Sequence, residues 1–249
     1  MKRVIGIGNA LTDMLVNLES DSVLRKYLLE KGSMSLVDSK LQTEISKSVA
    51  GLPYSLSLGG SAGNTIRAMA RLGCGTGFIG KVGPDTTGDF FEQALANLGV
   101  KPFIFRGSER SGKCVALISP DGERTMCTYL GAALEMRHTE LTPEIFYGYE
   151  YFYIEGYLVQ DHELISNAVR IAKERGLQVA LDLGILSLAV NFAGGRHRLR
   201  LNGLPVLRAY LLAGVGIQRF DQVGQQDRPA DIQRQNVLPV QNCCERCLT

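Results

Sequence analysis

Leu58-Gly59-Gly60-Ser61-Ala62-Gly63-Asn64 is the stretch on which the fold turns. It closes a run, residues 54–58, that alternates apolar with polar side chains at the period of a strand exposed on one face. It then opens a helix on which Ile66, Met69 and Ala70 share a face, which Ser61 or Asn64 can cap and which Gly73 stops. Consecutive glycines at a helix start let a ligand approach the backbone and meet free amide groups. A plain strand-to-helix turn uses the same glycines, and spacing alone does not separate the two readings.

Outward from this stretch, strand-like and helix-like runs alternate. Residues 4–7 form an apolar strand, and Met14, Leu15, Val16 and Leu18 continue it through a kink at Gly8–Asn9. Residues 21–31 read as a helix, and 33–37 as a strand of period two. A strand at 77–82 leads into a helix at 85–98 with Phe90, Phe91, Leu95 and Leu98 inward and Gly99 at its end. Strands fill 101–129, broken by the turn Pro120-Asp121-Gly122. A strand at 151–154, an amphipathic helix at 162–175 closed by Gly176, and a strand at 178–183 follow. Strand, helix, strand at this spacing implies right-handed crossovers and a parallel sheet, hence an α/β fold.

The 249 residues, 45% of them hydrophobic, suffice for a substantial core. Lys and Arg total 27 against 25 Asp and Glu, so the chain lacks the electrostatic footprint of a nucleic-acid or membrane-surface binder, and a small-molecule partner is expected. No apolar run reaches the roughly 18–20 residues that cross a bilayer, and the apolar part of the N-terminus is too short for a secretory signal. Cytoplasm is the expected compartment. Cys74, Cys114 and Cys127 stand in apolar or glycine-rich contexts that suit reduced thiols. Residues 184–249 differ in composition: eight arginines, seven glutamines and no lysine, consistent with a shifted reading frame after Leu183. Cys243, Cys244 and Cys247 cluster there without a nearby fourth ligand, which argues against a zinc site.

Gly6-Ile7-Gly8 invites a dinucleotide reading, but the third glycine is missing and the following residues are strand-like. The Gly59–Gly60 stretch offers a better match. Together with Arg71-Leu72-Gly73 and Gly80-Lys81-Val82-Gly83-Pro84-Asp85-Thr86-Thr87-Gly88, all in register, it resembles the first signature of PfkB/ribokinase-family carbohydrate and nucleoside kinases of the adenosine-kinase-like kind. The resemblance implies a mostly parallel central sheet flanked by helices, with a small β-lid formed by about 33–58 and 101–129. It implies that Gly59, Gly60 and Asn64 bind substrate hydroxyls, and that Asn9 and Asp13, spaced as in adenosine kinases, face the ribose. A carboxylate suits that task because it accepts two hydroxyl bonds at once. Arg124, near the return of the lid to the core, either reaches a ligand phosphate or pairs with a surface acid. Glu155 and Asp182 sit where the family has core residues, with roles unassigned.

The implied reaction moves the γ-phosphoryl of ATP, with Mg2+, to a sugar or nucleoside hydroxyl; a homodimer through the lid is a further expectation. The resemblance covers residues 1–183, and 184–249 form a non-family tail expected to be poorly ordered. That tail holds no run like the family's Asp-Thr-x-Gly-Ala-Gly-Asp, which supplies base and anion hole; Ala213-Gly214-Val215-Gly216-Ile217 has no following Asp. No residue is therefore assigned a catalytic or metal-binding role, and the alternative expectation is a non-catalytic sugar- or nucleoside-binding chain.

Overall fold

The computed structural model describes residues 2–182 and two short strands, Tyr210–Ala213 and Gly216–Arg219, which pair with each other antiparallel. The expectations about the rest of 184–249 lie outside the described residues.

The core is a parallel sheet of five strands: β1 (Arg3–Ile7), β5 (Gly75–Val82), β6 (Val100–Arg106), β9 (Tyr151–Ile154) and β10 (Gln178–Leu181). Their order is β10-β9-β1-β5-β6, and Ile5 of β1 pairs with Gly77 on one side and Phe152 on the other. Strands buried on both faces read as unbroken apolar runs, as residues 4–7 and 151–154 do. One face is covered by α3 (Ser61–Arg71) and α4 (Thr86–Asn97), whose Ala62, Ile66, Phe91 and Leu95 pack on Val4, Phe78 and Val100. The other face is covered by α5 (His162–Glu174), through Leu164, Ala168 and Ile171 on Ile5, Ile7 and Phe152. The helices change faces between β1 and β9, so the crevice at those strand ends is the sheet's switch point.

A second sheet, β3-β8-β7-β2-β4, contains β2 (Leu11–Asn17), β3 (Met34–Leu36), β4 (Tyr54–Leu58), β7 (Gly112–Ile118) and β8 (Arg124–Tyr129). One of its faces, carrying Met14, Val16, Val115, Leu117 and Cys127, is covered by Leu24 of α1 (Ser22–Lys26) and Ile45 of α2 (Ser39–Ser48). The opposite face carries Asp13, Cys114 and Thr128, which are neighbours across the strands.

Several boundaries differ from the sequence reading. Residues 11–17 do not continue β1; the chain turns at Gly8-Asn9-Ala10 and enters the second sheet. Conversely, residues 100–106 belong to the central sheet rather than with 112–129, because β6 pairs parallel with β5. Both segments read equally well as strands, and period two does not say which sheet a strand joins. The helix expected at 21–31 stops at Lys26, since Leu28 takes a left-handed φ of 53° and lies exposed, which breaks the apolar stripe. Helix α2 was not anticipated, although Asp38 caps it by accepting from the Leu41 amide at 2.7 Å. Asp85 caps α4 in the same way through the Gly88 amide at 2.9 Å. Cys114 and Cys127 are buried free thiols, and burial pushes both pKa values up to about 11. Among the described residues, no helix is long and apolar enough to cross a membrane.

Candidate functional site

The glycine pair joins the two sheets. The Gly59 amide donates to the Leu11 carbonyl at 2.8 Å, which ties the turn to β2. Gly60 has φ +79°, and a Cβ there would run into the Asn9 carbonyl, so this position needs glycine on two counts. Neither Ser61 nor Asn64 caps the helix that follows; Gly60 is the cap residue, with no side-chain bond. Capping comes from a distant carboxylate: Glu155 Oε2 accepts from the Ala62 amide at 3.0 Å, while the Ser61 hydroxyl turns to Asp182.

Glu155 follows β9 at the switch point and is 1% exposed. Its Oε1 accepts from Asn9 Nδ2 at 2.7 Å and from the Asn9 amide at 3.3 Å. A Cβ on Gly8 would stand 2.6 Å from Oε2, so that glycine makes room for the carboxylate. Burial raises the Glu155 pKa, opposed by the bonds from Ala62 and Asn9, with the nearby Asp182 charge adding to the rise. The neighbouring Tyr153 phenol receives Thr65 Oγ1 at 3.3 Å, and burial pushes its pKa up as well.

Asp13 is a different case. Its carboxylate, on β2, lies against the backbone of Gly59, where a Cβ would collide with it. It is half-buried, yet it accepts no hydrogen bond from the described residues. Burial raises its pKa, offset by the charges of Arg124 and Arg67. Arg67 donates through Nη1 to Ser57 Oγ and to the Leu58 carbonyl, both at 3.2 Å, and through Nη2 to Asn64 Oδ1 at 2.7 Å. It thus staples the glycine turn to α3 and leaves Asn64 exposed beside it.

Of the residues singled out in sequence, Asn9, Asp13, Gly59 and Gly60 come together around one turn. Asn64 is linked to them through Arg67, and exposed Arg124 reaches the group by its charge on Asp13 from the same sheet face. Asn9 is 4% exposed and its Nδ2 is given to Glu155, while its Oδ1 is buried without a partner among the described residues. Sequence reasoning missed Arg67, whose signal was its place three residues after Asn64 on one helix face. It also gave Glu155 no role, because nothing local links a strand-end acid to a helix start 93 residues earlier. The Gly6–Gly8 segment leads into β2 and not into a helix, so it builds no dinucleotide loop. Among the described residues, no three His, Cys, Asp or Glu side chains converge as metal ligands.

A parallel sheet flanked by helices, with a second small sheet joined at a glycine turn, is the ribokinase-like α/β architecture. The pfkB family carbohydrate kinase signature matches residues 32–185, and the chain belongs to that family. It is 30% identical over 132 residues to fructokinase-1 of Oryza sativa subsp. japonica, a match covering 51% of this chain and 39% of the relative. To the aminoimidazole riboside kinase of Salmonella typhimurium it is 32% identical over 137 residues, covering 52% of this chain and 42% of the relative. Adenosine kinase from Sinorhizobium meliloti matches with a TM-score of 0.64 at 31% identity, covering 73% of this chain and 56% of that one. The chain thus spans less than half the length of these two curated relatives.

Proposed function

We propose that the Gly59–Gly60 turn and Asp13 form the hydroxyl-binding site of a sugar or nucleoside kinase of the pfkB family. The observation that carries this is Asp13: a half-buried carboxylate without a hydrogen-bond partner among the described residues, held between a glycine backbone and two arginines. A carboxylate whose oxygens are engaged by none of the described residues is open to donors from a ligand, and two substrate hydroxyls would fill it. Asn64 and the Gly59 and Gly60 backbone complete the cradle in this reading. Asn9 lends its unpartnered Oδ1, and Arg124 closes over the ligand from the second sheet, acting as a lid. ATP with Mg2+ is the co-substrate the family implies.

The second reading, binding without turnover, is favoured by a specific observation: no Asp-Thr-x-Gly-Ala-Gly-Asp run occurs in the sequence. Phosphoryl transfer rests on positioning and charge stabilisation, with a base adding roughly 10²–10⁴-fold and anion stabilisation roughly 10²–10³-fold. We therefore expect this chain to hold substrate and to release ADP no faster than a blank. Self-association through the second sheet belongs to the same proposal. It is supported by exposed Leu36 on β3 and by exposed Tyr54 and Leu56 on edge strand β4.

Calorimetric titration with adenosine, ribose and fructose tests the site. At least one should bind, and Asp13→Asn should weaken it by roughly 10- to 100-fold, as befits 1–3 kcal/mol. Equal affinity in both proteins would remove Asp13 from the site. Substrate-dependent ADP release would overturn the second reading and leave the first standing.

A further inference from the structure

A cavity of about 270 Å3 lies on the face of the second sheet away from Asp13, and the proposed function makes no use of it. Its walls include Ser46 and Lys47 of α2, Thr87 at the start of α4, and Arg110 and Lys113 at and just before β7. Three of these are cations, and among the described residues none of the three is in an ion pair. Lys113 is half-buried; burial, with the Arg110 charge beside it, pulls its pKa below the ordinary value. Arg110 is held in place, its Nη2 donating to the Ser39 hydroxyl at 2.7 Å while its guanidinium lies 5.6 Å from the Tyr129 ring centre.

Among the described residues the wall has a single acid, Asp85, and its carboxylate is already occupied. Oδ1 accepts from Ser111 Oγ at 2.6 Å and from the Gly88 amide at 2.9 Å, and Oδ2 from the Ser111 amide at 2.8 Å. Glu109, outside the cavity wall, accepts from the Tyr129 hydroxyl at 3.1 Å. Three cations against one engaged carboxylate leave an excess of two positive charges in a recess, and such an arrangement attracts a dianion. A phosphate monoester carries close to two negative charges at neutral pH and three acceptor oxygens, matching Lys, Arg and hydroxyl donors. The volume is below the roughly 300–1,000 Å3 of pockets for drug-sized ligands, which suits a sugar phosphate better than a nucleotide.

We propose that this cavity binds the phosphate monoester of a small metabolite, at the seam between the two sheets. Lys47 and Ser46 belong to the layer over the second sheet, and Thr87 to the layer over the central sheet, so a bound dianion ties the two layers together.

Calorimetric titration of the full chain with inorganic phosphate and with glucose 6-phosphate tests this. Saturable binding is expected, tighter for the monoester. Lys47→Met and Lys113→Met should each weaken it about tenfold or more, with Lys113→Arg keeping most of the affinity. Lys47 is exposed, so its variant stays informative if Lys113→Met fails to fold. Asp13→Asn should leave phosphate affinity unchanged, which separates this cavity from the proposed hydroxyl site. No saturation by about 10 mM, wild-type affinity in Lys47→Met, or loss of phosphate binding in Asp13→Asn would each overturn the proposal.

Discussion

Two carboxylates flank the same glycine turn, and they are treated in opposite ways. Glu155, at the end of the central sheet, is fully enclosed and takes three donors from Asn9 and Ala62. Asp13, on the second sheet, touches the other side of the turn and takes none from the described residues. Under the proposed function, the difference separates building from binding. Glu155 holds the start of α3 against β1 and β9, whereas the Asp13 carboxylate is the group we propose for the ligand.

The largest expected effect is on the building side. Glu155→Ala orphans the Ala62 amide and both Asn9 donors in a buried crevice, and should destabilise the fold by about 3 kcal/mol in urea denaturation. Asp13→Asn in the same experiment should cost less than about 0.5 kcal/mol. A similar loss in both variants would erase the contrast. Next comes Gly60→Ala, which forces a side chain into a left-handed φ against the Asn9 carbonyl and should cost about 2 kcal/mol. Gly59→Ala has no such φ; its methyl displaces the Asp13 carboxylate, so ligand affinity should fall at least tenfold with little change in the unfolding midpoint.

A smaller effect appears in the pH dependence. The Asp13 carboxyl is raised above its ordinary 3.8 by burial, so the unfolded chain gives up this proton first as pH rises. Its contribution is therefore favourable below about pH 4 and is lost as pH climbs through the folded-state pKa. Wild type minus Asp13→Asn stability, measured by urea denaturation across pH 3–7, should decline over that window. Glu155 and the other acids titrate alike in both proteins and cancel. A difference that rises with pH would show Asp13 to be ion-paired in the free protein.

Much of this layout was legible in sequence, for a physical reason: alternation of short apolar runs with capped amphipathic helices is a local signal. Asp85, Gly73 and Gly99 marked helix ends, and the glycine pair marked the turn. What was not legible is non-local. Residues 11–17 and 100–106 changed sheets relative to the reading, because a strand's period says nothing of its partner. Glu155 lacked a role because its donors lie far away in the chain, and Arg67 was hidden among ordinary helix residues.

The division of labour is tested most directly by the melting midpoint of wild type and Asp13→Asn, each with and without a saturating amount of the tightest-binding member of the adenosine, ribose and fructose panel. A ligand at about 100 times its Kd stabilises by about 2.7 kcal/mol, which raises a midpoint by several degrees. Wild type should show that rise. Asp13→Asn should have a ligand-free midpoint equal to or slightly above wild type, and a much reduced shift at the same ligand concentration. A full shift in Asp13→Asn, or a collapse of its ligand-free midpoint, would contradict the claim that Asp13 binds while Glu155 builds.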